Sequence, residues 1–229
     1  MDMKCLVRQQ FDSDALGLDF YRATRIDPDI LGRELAALPL PYMADAKAHA
    51  QDIDGAKLLM RLGFRKMCVQ PTFSQDLTGA AGAACGEPMG AASMPEAELD
   101  AHAANFPFSR FGLDPDVAQA ARVAHQRRWI ANSMASGEIL KFIEPGAFVS
   151  FKLKDKAAVI DLISVLPQAR GRGSLLLGRL RSWAASKGLT RVEVTTESEN
   201  VTACLFYQKN GFRLDRASVA FHLHAGAGR

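Results

Sequence analysis

Short alternating stretches open the chain. Cys5-Leu6-Val7-Arg8 and Phe20-Tyr21-Arg22-Ala23-Thr24 interleave apolar and polar positions at a period of two, which predicts two strands. A helix is expected over Pro28 to Ala37, where proline is tolerated in the first turn. A strand near Pro41–Ala46, a helix over Asp54–Leu62 closed by Gly63, and a strand over Arg65–Thr72 complete this first set. Further on, Asp116 to Met134 reads as a long helix opened by Asp114-Pro115, with Val117, Ala120, Ala121 and Ala124 on its apolar stripe. Strands follow at Ile139–Ile143, Ala147–Leu153 and Ala157–Leu166. The last is almost wholly apolar, the pattern of a strand covered on both faces. Ser174–Lys187 is amphipathic, with Leu176, Leu180 and Trp183 on one stripe. Arg191–Thr196, a helix over Asn200–Asn210, and Arg213–His224 end the series. Three strands, helix, strand, helix, strand is the order of a mixed α/β sheet.

The two sets are separated by TGAAGAACGEPMGAASMPEAELDAHAA (Thr78 to Ala104), rich in Ala and Gly. Its first part has too little to bury to offset its ordering entropy, whereas Pro95–Ala104 predicts a short helix. The expected organisation is therefore an N-terminal half over 1–76, a linker over 77–104 and a second domain over 105–229. An internal echo links the halves. DIDGAKLLMRLGFRKM (Asp52–Met67) and NVTACLFYQKNGFRLD (Asn200–Asp215) both run through a helix into Gly-Phe-Arg and a strand. The first copy lacks the polar groups and any glycine-rich turn, so one active site is expected.

Composition narrows the class. With 229 residues, 48% hydrophobic and 23% charged, the chain reads as an ordinary globular protein. No apolar run approaches the ~20 residues that span a bilayer, and the first residues lack a secretion pattern, so a cytoplasmic location is expected. Four scattered cysteines and the histidines offer no metal-ligand spacing, and no metal is expected. A net charge of +3 is too small to argue for nucleic acid. Its distribution is more informative: Arg170, Arg172, Arg179 and Arg181 stand together with no acidic residue among them, a setting for a compact anion.

The turn Val165-Leu166-Pro167-Gln168-Ala169-Arg170-Gly171-Arg172-Gly173-Ser174-Leu175 leads from the buried strand into the amphipathic helix. Such a junction points unpaired N–H groups and the positive end of the helix dipole at one spot. Gly171 and Gly173 keep Cβ atoms away, while Arg170 and Arg172 add charge, so a diphosphate is the expected guest. Leucine at 176 breaks the dinucleotide pattern Gly-x-Gly-x-x-Gly, and no Gly-Lys-Ser/Thr is present. A turn that merely connects strand to helix remains the alternative.

Val-x-Pro-x-x-Arg-Gly-x-Gly, followed by Asn200-x-x-Ala203-x-x-x-Tyr207-x-x-x-Gly211-Phe212, resembles the paired motifs of the GNAT acetyltransferase superfamily from about Ile139 to His224. One departure is Leu175, where that family often has Gly or Ala. The resemblance implies a mostly antiparallel GNAT-type sheet, with the N-terminal half as a smaller degenerate copy, and acetyl-CoA as co-substrate. It places the pantetheine along the backbone of Ile163, Ser164 and Val165, and the pyrophosphate on the turn from Arg170 through Ser174 and Leu175. Asn200 would hold a pantetheine amide, beside Ala203 and Phe206. Tyr207 would protonate the departing sulfur; the alternative for it is core packing. Attack of an amine on a thioester expels a thiolate, and a phenol of pKa ~10 can supply the proton, a form of help worth about 10²–10⁴ in rate.

Phe11-Asp12-Ser13-Asp14-x-x-Gly17, Leu62-Gly63-Phe64-Arg65, Ser109-Arg110-Phe111 and Trp129-Ile130-x-Asn132 are similar to the TDP-fucosamine acetyltransferase branch. That likeness implies a nucleotide-linked amino-deoxysugar as acceptor, with Ser109, Arg110, Phe111 and Trp129 as substrate contacts. Where many relatives carry a basic glutamate in the central strand this chain has Val159. Asp161 is the nearby substitute, or else a hydrogen-bonded carboxylate, with a water relay serving an amine of pKa ~8. Arg122, His125, Arg127 and Arg128 either receive a diphosphate or form a solvated helix face, and His222 and His224 read as structural or exposed. Other acceptors stay open: an amino acid, polyamine, antibiotic or protein N-terminus, as does a non-catalytic acyl-CoA-binding module. The expected partners are a small-molecule amine and, in a homodimer, a second copy; neither nucleic acid nor membrane is expected.

Overall fold

The structure, a computed structural model, describes residues 4–78 and 86–226, so part of the Ala/Gly linker, including Cys85, lies outside the described residues. In the first half come β1 (Leu6–Arg8), α1 (Gln10–Leu16), β2 (Asp19–Ala23), α2 (Pro28–Ala36), β3 (Tyr42–His49), α3 (Ile53–Arg61) and β4 (Arg65–Asp76). Then follow α4 (Glu96–Ala104), α5 (Gln119–Ala135), β5 (Leu140–Glu144), β6 (Ala147–Lys154) and β7 (Ala157–Val165). A 3₁₀ turn at Pro167–Ala169 leads to α6 (Arg172–Ser186), β8 (Arg191–Thr195), α7 (Val201–Lys209) and β9 (Arg213–Ala225). Among the described residues no helix is long and apolar enough to cross a membrane.

The strands form one nine-stranded sheet in the order β1-β2-β3-β9-β4-β8-β7-β6-β5. Only β2/β3 and β7/β8 pair in parallel, so the sheet is mixed and mostly antiparallel as expected. The internal echo has a topological meaning. Both β3–α3–β4 and β8–α7–β9 run strand, helix, strand, and each final strand crosses to the other half. Thus β4 lies against β8, and β9 lies against β3, with β4 and β9 paired at the centre. The two halves interlock within a single sheet.

Alternation along the strands then builds the core. On one side of the second half, Leu176, Leu180, Trp183 and Ala184 of α6 bury against Phe151, Ala158, Ile160, Val192 and Val194. On the other side, Ile130 and Met134 of α5 and Leu99 of α4 meet Phe148 and Leu162. In the first half, Leu31, Leu35 and Leu59 cover Tyr42, Ala44, Ala46 and Ala48 together with Phe221. Lys141 is wholly buried, and its ammonium donates to the carbonyls of Gly90, Met134 (3.1 Å) and Ser136 (3.0 Å), tying the chain before α4 to β5.

Two elements depart from the pattern-based expectation. Helix α1 was not foreseen because its buried residues, Asp12 and Ser13, are polar; Ser13 Oγ bonds Gln9 O (2.8 Å) and accepts Phe20 N (2.9 Å). The long helix begins at Gln119 instead of Asp116, because Asp114 does not cap it. Its carboxylate is fully buried and accepts from His222 Nδ1 (2.7 Å) and His224 Nε2 (2.8 Å), so these histidines face inward. The three donor atoms lie within 4.8 Å of one another, a proximity that scattered sequence positions gave no hint of.

Candidate active site

The junction of β7 and α6 is shaped by two departures from regular structure. First, β7 pairs with β8 only from Ala157↔Arg191 to Ile160↔Val194, although β7 continues to Val165 and β8 goes on pairing with β4. The strands part there. At the same level a β-bulge sets Ser150 opposite Leu162 and Phe151 opposite Ile160, leaving Asp161 as the extra residue, a device that bends a strand away from its neighbour. Second, Gly171 is the N-cap of α6 at φ +95°, and no side chain caps the helix. The first amides of α6 are thus open to an anion at the positive end of the helix dipole.

The two glycines do different jobs. A Cβ on Gly171 would meet no atom within 4 Å, so that residue faces open space. A Cβ on Gly173 would come within 3.1 Å of the Phe206 ring and 3.2 Å of Val165, so its small size serves the packing of α6 on β7 and α7. Ser174 and Leu175 are exposed on the first turn. The positive cluster is weaker than its sequence implies. Glu144, distant in the chain, pairs with Arg172 (3.0 Å) and Arg179 (2.6 Å), while Arg181 donates to Gln75 (3.3 Å) and Asn210 O (3.1 Å). Arg170 is exposed and has no ion pair among the described residues.

On the strand side, Ser164 points its hydroxyl at His102 Nδ1 (2.8 Å) on α4, so only its backbone can serve a guest in the gap. Asn105 Nδ2 already bonds the Val165 carbonyl (3.1 Å), and Ile163 packs partly against the α6 core. Asn200 is the N-cap of α7, where Oδ1 accepts Ala203 N at 3.1 Å, leaving its amide nitrogen for a ligand. Tyr207 is buried among Phe73, Phe206 and Phe212. Burial lifts its phenol above the ordinary tyrosine range, and Glu197 adds to the rise, so it stays protonated at neutral pH.

Across the sheet from α6, polar side chains collect between the halves. Arg22 binds Asp45 through Nε (3.0 Å) and a terminal nitrogen (3.0 Å), and Asp12 accepts from His125 Nε2 (2.8 Å). Arg110 lies 3.3 Å from Asp45, with its guanidinium over the Phe111 ring at 4.4 Å. Lys47 is exposed, yet its ammonium is held below the ordinary lysine value, first by burial of its surroundings and then by Arg110. Small residues lie beside Lys47 in register, Ala220 on β9 and Cys68 on β4; burial pushes the Cys68 thiol up to about 12, with Glu197 contributing. At the far side Glu197, just beyond β8, accepts from Gln70 (3.2 Å), and burial holds its carboxyl above the ordinary glutamate value.

Several expected contacts are relocated. Phe111 is 1% exposed and belongs to the core with Phe20, Met43 and Val117, so it is a wall of the fold instead of a substrate contact. Ser109 Oγ accepts Gly112 N (2.9 Å) beside a cavity of about 210 Å³. Trp129 donates to Asp161 (3.2 Å), which also binds Lys152 (3.0 Å), so Asp161 is a tethered carboxylate. The four basic residues of α5 are engaged too. Arg122 donates to the carbonyls of Val117, Gly112 and Asp114, His125 binds Asp12, Arg127 binds Glu96 and Asp100, and Arg128 binds Asp14. Arg22, Lys47, Gln70 and Glu197 were missed by sequence reasoning. Their only common signal is that three long strands and one loop bring them to one face.

Residues 101–212 match the acetyltransferase (GNAT) family. A GCN5-related N-acetyltransferase from Sphaerobacter thermophilus superposes with a TM-score of 0.56 at 14% identity, over 96% of this chain and 75% of that one. A tandem GNAT protein from the clavulanic acid biosynthesis pathway gives a TM-score of 0.55 at 14% identity, over 92% and 76%. In sequence, the uncharacterized protein YxbD of Bacillus subtilis is 33% identical over 66 residues, which span 29% of this chain and 41% of that relative. Residues 101–212 thus carry the acetyltransferase (GNAT) pattern, set in a chain whose fold as a whole is of the GNAT type.

Proposed function

We propose that the protein is an acetyl-CoA-dependent N-acetyltransferase whose acceptor is the amino group of a small molecule, a nucleotide-linked amino-deoxysugar being the reading that its sequence resemblance favours. The observation that carries the proposal is the parting of β7 from β8 beyond Ile160, directly beside the uncapped α6 N-terminus at Gly171. That pairing of features suits a long ligand with a diphosphate at one end. The N–H groups from Arg172 to Leu175 would hold the pyrophosphate, the Ile163–Val165 backbone and the Asn200 amide the pantetheine arm. Acetyl-CoA supplies the activated acetyl thioester when bound.

The chain's own groups then divide the proton work. Tyr207, kept protonated by burial, donates a hydrogen bond to negative charge as it grows on sulfur; it is too weak an acid to give up its proton beforehand. Glu197, made more basic by burial, stands on the acceptor side to take the proton of the amine. It supplies a base that Val159 does not, whereas Asp161 is held by Trp129 and Lys152. The acceptor enters from the face of Lys47 and Arg110, opposite the helix that grips the diphosphate. Calorimetry with coenzyme A, followed by acetyl-CoA turnover with nucleotide-linked amino sugars against free amines, tests the reading. Absence of coenzyme A binding removes it. Binding without turnover of any amine favours an acyl-CoA-binding module.

A further inference from the structure

Three cations converge where the halves meet: Arg22 from β2, Lys47 from β3 and Arg110 from the segment before α5. The carboxylates facing them are committed. Both Asp45 oxygens are taken by Arg22, and Asp12 is bonded by His125, with Arg22 at 3.5 Å and Arg110 at 3.9 Å. Arg110 therefore sits near two carboxylates that already have closer partners. Its Nε is buried with no hydrogen-bond partner, despite lying 3.3 Å from Asp45. Lys47 has no ion pair among the described residues. A buried guanidinium nitrogen without an acceptor is costly unless something else supplies one.

The remaining groups around Lys47 do not supply it. From β4 come Gln70, bonded to Glu197, and the neutral Cys68 thiol; from β9 comes Ala220, with no polar atom on its side chain. Glu197 and Glu199 lie beyond β8, and Glu197 already accepts from Gln70 at 3.2 Å. Against Arg22, Lys47 and Arg110 stand Asp12, Asp45 and Glu197, but neither the exposed Lys47 ammonium nor the fork-shaped Arg110 guanidinium fixed over Phe111 donates a hydrogen bond to a carboxylate among the described residues. Such a pair recognises a planar or tetrahedral oxyanion.

We infer that Arg110 and Lys47, with Arg22 behind them, form a binding site for an anionic group carried by the acceptor, a phosphate or a carboxylate. The word acceptor rests on the proposed function; the anion site itself rests on the geometry alone. It places the acceptor's charge among β2, β3 and the segment before α5, and its amine toward Glu197.

The test is calorimetry on the full chain saturated with coenzyme A, so that the α6 turn is filled, titrated in parallel with inorganic pyrophosphate and with succinate. One equivalent of one anion should bind, about tenfold more weakly in Lys47→Met, the loss expected for one charge-assisted contact. Arg110→Gln should weaken it further, with thermal unfolding confirming that each variant is folded. Whichever anion binds more tightly identifies the group. Failure of both anions to bind, or equal binding to Lys47→Met, overturns the inference. Should coenzyme A itself not bind, the acetyltransferase reading falls, while the same titrations of the unliganded chain and of Lys47→Met still decide the anion site.

Discussion

Replacing Gly171 by alanine separates the backbone's strain from its contact with a ligand. Gly171 has φ +95° and ψ −24°, and holding an L-residue in the left-handed region costs about 1–2 kcal/mol. The added methyl meets no atom within 4 Å, so no packing penalty adds to this. Alanine also narrows the unfolded ensemble, which offsets about 0.4–1 kcal/mol. The net loss is about 1 kcal/mol, a fall in Tm of about 2–4 °C for a chain of this size. Gly188, just beyond the other end of α6, has φ +73° and equally empty surroundings, so Gly188→Ala is a matched control. The two variants differ in what the methyl faces: at 171 it stands over the first free amides of the helix. Thermal unfolding should give similar shifts for both. Calorimetry should show coenzyme A binding unchanged in Gly188→Ala and weakened in Gly171→Ala by about tenfold or more, the value of a hydrogen bond to a charged group. Equal coenzyme A affinity in Gly171→Ala and the unaltered protein refutes the assignment of this turn to the pyrophosphate.

Tyr207→Phe keeps the aromatic packing and should leave coenzyme A affinity intact while lowering kcat by about 10²–10⁴; steady-state rates at saturating acetyl-CoA check this, and an unchanged kcat removes the phenol from the reaction. Asp161→Asn, by contrast, should alter kcat little from about pH 6 to about pH 9, whereas a loss of about 10³, the scale of a lost general base, would assign the amine's proton to Asp161 in place of Glu197. Stability should also fall in acid. Burial depresses His102 and His222, so each binds its proton more readily when unfolded; their contribution is full above the unfolded value of ~6.5 and is lost as pH falls below it. Asp114, held below the ordinary carboxylate range against its own burial by His222 and His224, adds a second loss below about pH 4. Denaturant titrations across this range should show the decline, and Asp114→Asn should lower stability by about 1.5–3 kcal/mol at neutral pH, the value of hydrogen bonds to a charged group. A flat profile contradicts the neutral state of the buried imidazoles.

Much of the β7–α6 junction was legible in the chain because its signals are local. The turn at Gly171, the stripe of Leu176, Leu180 and Trp183, and the capping Asn200 all act within one helix of themselves, and the strands announce themselves by alternation or by unbroken apolar runs. Helix α1 escaped because Asp12 and Ser13 break the amphipathic pattern for the sake of partners far away, His125 and Phe20. The grouping of Arg22, Lys47, Gln70 and Glu197 was invisible for the same reason. Lys47 alternates with alanines in β3 and reads as a solvated position, and only the register of β3, β9 and β4 brings it to the same trough as Cys68 and Gln70. Glu144 shows the converse: a carboxylate outside the arginine cluster quenches two of its charges.

The exchange of β4 and β9 between the halves has an evolutionary corollary. In a fold of two similar halves, one half can usually be shed, but here neither can, because the last strand of each pairs with a strand of the other. Retained for mechanical reasons, the first half keeps Arg22 and Lys47 beside Glu197 of the second. On the proposed function, mutations in the first half change selectivity while the β7–α6 turn stays untouched.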